Sequence, residues 1–193
     1  MTVQWESAVR DAARLAALER SALATYDRDD EFDRLLELAI AVTAAPRGVI
    51  TFVNGRRTTA ISGVGFPEGL ALTAPIEHSF CRFVVATRQP FVVEDAHRDV
   101  RTVGDPAIDA FAAVSWIGYA VEDPDGFVLG TFCLMDAVPR EWSPLDILTV
   151  ATLARAASSE VALRMARSEV SLLRGDAGLG PDQARPVRPS STN

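Results

Sequence analysis

The chain has 193 residues, 48% of them hydrophobic, which is enough for one good core and hardly for two. The formal net charge of −7, with no run of cationic residues along one face, disfavours nucleic-acid binding, and no apolar run approaches the ~20 residues that span a bilayer. Two cysteines make no disulfide framework and no signal peptide is recognisable, so we expect a cytoplasmic protein.

The chain begins with two predicted helices. Small apolar residues recur at three- and four-residue steps from Ala8 onward, which predicts a helix over residues 7–24. Asp29 and Asp30 are N-cap candidates for a second helix, which Pro46 ends. Both helices therefore have one apolar face to bury.

Strands dominate the middle of the chain. Asn54-Gly55 suits a two-residue turn, which makes the first two strands antiparallel neighbours. A short helix capped by Ser79 is expected before the third strand, and a turn at residues 123–126 joins the last two. The predicted strands cover residues 49–53, 57–61, 91–94, 114–121 and 127–135. The fold is therefore predicted to be mixed, α+β.

A long helix closes the fold. Ser143 and Pro144 form a helix start, and an apolar stripe continues from Ile147 to Leu172, which predicts a helix of about thirty residues. Such a length exceeds what a five- or six-stranded sheet can cover, so the stripe predicts a helix pair across a homodimer. Residues 175–193 are rich in Gly, Pro, Ser and Arg, and we expect them to be disordered.

Three motifs in the same order resemble the GAF domain family. The first is His78-Ser79-Phe80-Cys81, followed by Gln89-Pro90-Phe91-Val92-Val93-Glu94-Asp95-Ala96 and Asp99. The second is Trp116-Ile117-Gly118-Tyr119-Ala120-Val121. The third and most specific runs from Gly126 through Leu129-Gly130-Thr131-Phe132-Cys133-Leu134-Met135-Asp136 to Pro139-Arg140. Together they extend the resemblance over residues 15–163.

The resemblance implies a GAF-like α+β fold. Its central antiparallel sheet has five or six strands, the N- and C-terminal helices pack on one face, and a ligand chamber lies on the other. We expect residues 1–26 to be an N-terminal helix of the helical layer, residues 27–174 to be the GAF domain with its long C-terminal helix, and residues 175–193 to be the tail. The fold alone names no ligand.

A chamber of this kind is expected to be lined by aromatic and apolar side chains with a few polar groups. Trp116 stands at the family's aromatic position, and strand alternation allows only one of Trp116 and Tyr119 to face the chamber. Asp95 either binds a ligand hydroxyl or caps the turn after its strand, and the aromatic residues can equally fill the core. The predicted ligand-binding residues are Phe52, Phe80, Cys81, Val84, Asp95, Phe111, Trp116, Tyr119 and Thr131.

The two cysteines have two interpretations each. Cys81 is a reactive thiol if Arg82 or His78 lies beside it, and otherwise a small packing residue. Cys133 is a core residue of the fifth strand, or the partner of Cys81 in a redox switch or in an enzyme like the free methionine sulfoxide reductases, whose clustered cysteines this sequence lacks. Strand alternation places Leu129, Thr131, Cys133 and Met135 on one face.

Cofactor and enzyme signatures are missing from the sequence. Arg82 follows Cys81 where bilin-binding relatives commonly carry histidine, and His78 and His97 have no partner cluster for haem or a metal ion. No nucleotide-binding loop, nucleophile elbow or zinc-protease motif occurs. No cofactor is firmly implied, bilin and haem are disfavoured, and we expect no enzyme activity.

These patterns predict a sensory or regulatory domain that works without a membrane or nucleic acid. It would bind a small molecule, form a homodimer through its terminal helices and contact a regulatory protein partner. The alternative is a ligand-free dimeric adaptor. A cavity of ligand size beneath residues 79–85 would favour the sensor, and a solid core would favour the adaptor.

Overall fold

The computed structural model describes residues 5–23, 30–67, 70 and 72–173, and the tail predicted over residues 175–193 lies outside them. The elements follow in chain order: α1 (Trp5–Val9), α2 (Ala12–Ser21), α3 (Asp30–Thr43), β1 (Arg47–Val53), β2 (Arg57–Val64), β3 (Thr73–Pro75), a 3-10 turn (Ile76–His78), α4 (Cys81–Thr87), β4 (Phe91–Val93), α5 (Ala107–Ala110), β5 (Ser115–Glu122), β6 (Val128–Asp136) and α6 (Pro144–Leu173).

The strands form one sheet in the order β3-β2-β1-β6-β5-β4. Every neighbouring pair is antiparallel, so the predicted fold class, α+β with a central antiparallel sheet, is confirmed. The sequence patterns did not predict β3. This strand has three residues and pairs with β2 at the edge of the sheet, and so short a segment carries no measurable period.

One face of the sheet is covered by α2, α3 and α6. α6 packs along β5 and β6 and against α3, while α2 contacts β6. The apolar stripes of these helices meet the large side chains of the central strands, and each fully buried Leu, Ile or Phe contributes roughly 1.5–3 kcal/mol to folding. This helix-layer core includes Phe32, Leu36, Ile50, Phe52, Ile117, Phe132, Leu134, Val150 and Val161.

The first predicted helix is two helices with a break at Arg10 and Asp11. The Asp11 carboxylate accepts a hydrogen bond from the Arg14 amide at 2.8 Å and starts α2, while α1 packs on α4, on the other side of the sheet. The buried Arg14 side chain donates to the carbonyl oxygens of Val53 at 2.8 Å, of Val128 at 3.2 Å and of Val9. It therefore ties the end of α1 to the ends of β1 and β6.

The hairpin between β1 and β2 turns one residue later than expected. Asn54 does not stand at the centre of the turn, because its backbone amide donates to the Arg57 carbonyl at 3.0 Å. Its side-chain oxygen accepts the amides of Arg56 at 2.8 Å and of Arg57 at 2.7 Å. Gly55 and Arg56 are therefore the central pair, and Asn54 closes the turn with its side chain.

A β-bulge in β6 changes the predicted alternation of its side chains. Val121 pairs with Gly130 and Glu122 with Val128, so Leu129 is an extra residue in the ladder. Leu129 consequently packs in the helix-layer core, although the alternation predicted it on the face of Thr131 and Cys133. The alternation from Thr131 to Met135 holds as predicted, because it begins after the bulge.

Helix α6 begins at a capping box and is longer than the sheet. The Ser143 hydroxyl accepts the Asp146 amide at 3.1 Å, and the Asp146 carboxylate accepts the Ser143 amide at 3.0 Å. The helix has 30 residues, as expected, and its last buried position is Val161. Met165 still packs against the helix-layer core, and residues 166–173 extend past it. None of the described helices is both long and apolar enough to cross a membrane.

Candidate functional site

The second face of the sheet carries α4 and α5, and a small cavity remains between these segments and the strands. α4 packs on β5 and β6, and α5 packs on the 3-10 turn. The cavity, which we call the chamber, has a volume of about 30 Å³, room for about one water molecule or a guest of similar size. Its lining includes Thr51, Thr58, Phe80, Cys81, Trp116 and Cys133.

Aromatic rings form one wall of the chamber. Phe80 meets Trp116 edge-on, with ring centroids 6.0 Å apart, a geometry that aromatic pairs prefer. The Trp116 indole also lies over Gly118, where a Cβ atom would approach the ring to 2.2 Å. Position 118 must therefore be glycine for the indole to keep its place.

Two thiols and two hydroxyls meet on the sheet side of the chamber. The Thr131 hydroxyl donates to Cys81 Sγ at 3.1 Å and lies 3.0 Å from the Thr51 hydroxyl, which is itself 3.6 Å from Cys81 Sγ. Thr131 Oγ1 also lies 3.9 Å from Cys133 Sγ. The Cys133 thiol donates to the Val49 carbonyl oxygen at 3.5 Å. Both cysteines are buried and neither is in a disulfide.

The two thiols differ in acidity. The neighbouring Cys133 thiol lowers the pKa of Cys81 to about 5, helped by the hydroxyl groups of Ser79, Thr131 and Thr51 and opposed by burial. Burial raises the pKa of Cys133 well above its usual value, and the neighbouring Cys81 sulfur acts in the same direction. These opposite shifts favour the thiolate form of Cys81 and the protonated form of Cys133.

The hydroxyl of Thr58 has no hydrogen-bond partner within the described part of the chain. The residue is 3% exposed, and it lies in β2 where that strand pairs with β1 and β3. Leaving such a buried hydroxyl unpaired costs roughly 1–3 kcal/mol. Because Thr58 lines the chamber, its hydroxyl is available to a small hydrogen-bonding guest.

Four of the predicted ligand-binding residues line the chamber, namely Phe80, Cys81, Phe111 and Trp116. Thr131 reaches the same place through its hydrogen bond to Cys81. Val84 belongs to the same side of the sheet but is buried behind the lining. Their part in binding a ligand stays a prediction.

The other three predicted residues lie away from the chamber. Phe52 and Tyr119 face the helix-layer core, because each alternates with the chamber-facing residues of its strand. Asp95 accepts the His97 amide at 3.0 Å and faces Arg98 at 3.5 Å, so it caps the turn after β4. The assignment of these three residues to the chamber is corrected accordingly.

Thr51, Thr58 and Cys133 line the chamber, although the sequence analysis did not include them among the ligand-binding residues. Thr51 shares the parity of Val49, and Thr58 pairs with Val53 across the hairpin, so alternation relates these side chains to one face. Alternation does not say which face carries the chamber. Phe52, the residue of β1 that was predicted to bind a ligand, therefore lies on the face opposite the chamber.

A wider groove of about 490 Å³ lies outside the chamber, between α1, α4 and the turns at residues 99–105. Its two cationic side chains are already paired. Arg82 forms a buried ion pair with Asp105, and Arg101 donates to Asp99 at 2.9 Å, a bond that lowers the pKa of Asp99. Both cationic side chains of the groove are therefore already neutralised by carboxylates of this chain.

The chamber restricts the size and kind of a guest. A nucleotide or a tetrapyrrole exceeds its volume as it stands. Within the described ranges, no group of three or more His, Cys, Asp or Glu side chains is placed to hold a metal ion. The chemistry on offer is that of a thiolate, a thiol and hydroxyl groups.

Comparison with known proteins agrees with this architecture. The model of the GAF domain family matches residues 27–161. No curated protein matches the chain in sequence. Among solved structures, the GAF domain of an Acinetobacter phosphoenolpyruvate-protein phosphotransferase is similar, with a TM-score of 0.57 and 14% identity over 86% of this chain and 99% of that one.

Two further structures are similar. The PixJ GAF domain of Thermosynechococcus elongatus, in its blue-light-absorbing form, has a TM-score of 0.56 and 15% identity over 86% of this chain and 97% of that one. The type II free methionine-R-sulfoxide reductase from Thermoplasma acidophilum has a TM-score of 0.55 and 12% identity over 68% of this chain and 89% of that one. At these identities the likeness shows the fold alone.

Proposed function

Because this chain belongs to the GAF domain family, we propose that it is a sensory and regulatory module whose chamber detects a small molecule and whose helix α6 passes the result to another protein. The fold itself names no ligand, so the proposal depends on the chamber and on α6. The observation that carries it is the unpaired Thr58 hydroxyl in a cavity that is also lined by both cysteines.

The composition of the chamber supports a sensing role. Cores that serve stability alone pair or omit their polar groups, because each unpaired one costs free energy. Here one hydroxyl is unpaired, and the cysteines and two further threonines bring additional polar atoms to the same space. A guest that hydrogen-bonds to Thr58 would recover that cost on binding.

The shape of α6 supports signalling by protein contact. Residues 162–173 extend past the last buried position of the helix. Apolar side chains remain exposed there, with Leu163 44%, Val170 44%, Leu172 68% and Leu173 81% exposed. Leu163 and Val170 are seven positions apart and so lie on one side of the helix. A second copy of this chain is the occupant that such a stripe fits best.

The homodimer is tested with Leu163→Glu combined with Val170→Glu. Two carboxylates on the exposed stripe should weaken self-association about tenfold or more, which is about 1.4 kcal/mol. Leu148→Glu is the matched control, since Leu148 lies on the same helix and is 60% exposed but belongs to the part that packs on the sheet. Sedimentation velocity gives the dissociation constants. Equal constants for all three proteins would remove α6 as the contact.

The ligand-free adaptor is the second candidate, and the small volume of the chamber favours it. The two functions differ in whether the chamber influences α6. We would expose the reduced protein separately to hydrogen peroxide, nitric oxide and dioxygen, which are small enough to enter, and measure the dimer dissociation constant. A shift with any one of them supports sensing, and constants unaffected by all three support the adaptor.

The chain is structurally similar to a free methionine-R-sulfoxide reductase, and we propose that it does not have that enzyme's activity. Free methionine sulfoxide has several times more atoms than a cavity of about 30 Å³ holds. The chain should therefore show no more thiol-dependent reduction of free methionine-R-sulfoxide than its Cys81→Ser variant. Turnover by the unaltered chain alone would make it an enzyme.

A further inference from the structure

The fold brings together the only two cysteines of the chain from distant positions. Cys81 is the first residue of α4, and Cys133 lies in β6 on the sheet beneath it. Thr131 Oγ1 lies 3.1 Å from Cys81 Sγ and 3.9 Å from Cys133 Sγ, so both sulfur atoms are within 4 Å of one hydroxyl oxygen. A disulfide between them would join two elements, α4 and β6, that already pack against each other.

The two cysteines also have different roles. Cys81 is the nucleophile, and Cys133 is the thiol that donates its proton. The thiolate is the form of cysteine that attacks an oxidant, and that form of Cys81 is favoured by the hydrogen bond that the Thr131 hydroxyl donates to its sulfur at 3.1 Å and by the nearby Cys133 thiol. Cys133 keeps its proton, because burial raises its pKa. Attack by Cys81 followed by resolution through Cys133 is the order that this arrangement favours.

The chamber extends from Cys81 to a residue at the protein surface. Cys81 is only 4% exposed, yet it lines the chamber together with Thr58 and with His78, which is itself exposed at the surface. The chamber holds a guest of about one or two non-hydrogen atoms. Such a guest can accept or donate a hydrogen bond at the Thr58 hydroxyl while it meets the sulfur.

We propose that the chamber is a hydrogen peroxide sensor in which Cys81 attacks the peroxide, Cys133 resolves the product, and the resulting disulfide between α4 and β6 is the signal. This inference rests on the sensing role proposed above and names the molecule sensed and the chemistry.

The reaction balances in two steps. The Cys81 thiolate attacks one peroxide oxygen, so that an S–O bond forms, the O–O bond breaks, and the departing hydroxide takes a proton from solvent to leave as water. Cys133 sulfur then attacks the Cys81 sulfenic acid; an S–S bond forms, the S–O bond breaks, and the Cys133 proton leaves with the hydroxide as a second water. Both sulfur atoms are oxidised, and both peroxide oxygens are reduced.

The size of the chamber predicts which peroxides can react with Cys81. Hydrogen peroxide has two non-hydrogen atoms, whereas tert-butyl hydroperoxide carries a branched group that the chamber does not hold. The folded protein should therefore react with hydrogen peroxide about tenfold or more faster than with the bulky peroxide, relative to the same ratio in urea-unfolded protein. Unfolding removes the chamber and leaves the thiols, so it is the internal control.

The test uses the full chain, reduced and then treated with one equivalent of hydrogen peroxide, with the products measured by mass spectrometry after thiol alkylation. The unaltered chain should lose both alkylatable thiols together and form a disulfide within one chain. Cys133→Ser should stop at a Cys81 sulfenic acid that dimedone traps. Cys81→Ser should oxidise about tenfold or more slowly, because the remaining thiol keeps its proton.

Each opposite result overturns the inference. These are an absence of sulfenic acid at Cys81 in Cys133→Ser, disulfides only between chains, or equal reaction with the two peroxides in the folded protein. Different results would contradict the proposed sensing function. If the disulfide forms but the dissociation constant of the α6 dimer does not change, the thiol chemistry is supported and its signalling role is contradicted. If nitric oxide changes that constant without oxidation of Cys81, the sensing role is supported and the peroxide chemistry is contradicted.

Discussion

Cys133 influences the chamber mainly through its effect on Cys81. Its thiol is the largest cause of the low pKa of Cys81, ahead of the hydroxyls of Ser79, Thr131 and Thr51. In water a neighbouring thiol is a weak donor, but at a fully buried site few groups compete for the charge. A thiol in β6 therefore contributes to the charge state of a side chain in α4.

Replacing Cys133 by alanine should raise the pKa of Cys81, because the largest cause of its lowered pKa is removed while burial continues to favour the thiol. The ultraviolet absorbance of the thiolate, followed over a pH titration, measures the change. Cys133→Ser is the control, since a hydroxyl at this position can still donate. The explanation fails if alanine and serine leave the titration of Cys81 unchanged.

Thr58 is the second residue whose side chain has a testable role. Thr58→Val keeps the shape of the side chain and removes an unpaired hydroxyl, so it should leave the free energy of unfolding unchanged or raise it by about 1 kcal/mol. Thr51→Val is matched to it but should destabilise, because the Thr51 hydroxyl bonds to Thr131. Urea unfolding compares the two. Destabilisation by Thr58→Val as large as that by Thr51→Val would show that Thr58 is paired.

At the scale of elements, α1 depends on one buried side chain. It has five residues, too few for a helix to persist without support, and it reaches α4 from the far side of the break at Asp11. Arg14 supplies that support, because its guanidinium donates to the carbonyl of Val9 and to the ends of β1 and β6. The contact between α1 and α4 is therefore coupled to the ends of two central strands.

Arg14→Met should lower the free energy of unfolding by roughly 3 kcal/mol or more, since it leaves three carbonyl oxygens without their donor. Arg20→Met is the matched control in the same helix. Arg20 is half exposed and lies 3.8 Å from Asp125, so its loss should cost no more than about 1 kcal/mol. Urea unfolding measures both, and similar losses would contradict the role of Arg14.

Some helices and strands could be predicted from the sequence alone, and others could not. Long periodic segments such as α3 and α6 were predicted because their stripes extend over several turns. Two details depended on single residues instead. Asp11 interrupts the first helix by capping a new one, and the bulge at Leu129 shifts the alternation of β6. A capping residue inside an apolar stripe and a bulge within a ladder leave the composition of their segment unchanged.

For the whole molecule, the order of the motifs predicted the fold but not the interior of the chamber. The family resemblance predicted the sheet and its helical layer, because these depend on burial patterns that are spread over most of the chain. The meeting of Cys81, Cys133 and Thr58 depends on how three separate elements pack on one face. Alternation relates residues within a strand and does not say which face that packing encloses.

Stability of the whole molecule should depend on pH through Cys81. Its folded pKa is about 5 against an ordinary 9.0, so the unfolded chain binds the extra proton between these values, and stability rises with pH. This contribution is complete above the unfolded pKa and is lost as pH falls toward 5.

Urea unfolding at about pH 6 and about pH 8 should therefore show the unaltered chain gaining stability over Cys81→Ala, by at most about 1.4 kcal/mol for each pH unit. Both measurements lie below the range in which Cys133, with its raised pKa, begins to matter. A difference between the two proteins that stays constant, or shrinks with rising pH, would mean that Cys81 is protonated in the folded state.

Gly118 decides how much empty space the molecule retains. A methyl group there would overlap the Trp116 indole, which forms part of the chamber wall, so the ring could not keep its present position. One added carbon atom would thus reshape the chamber from within the sheet. The empty space next to Trp116 therefore depends on the absence of a side chain two residues along the same strand.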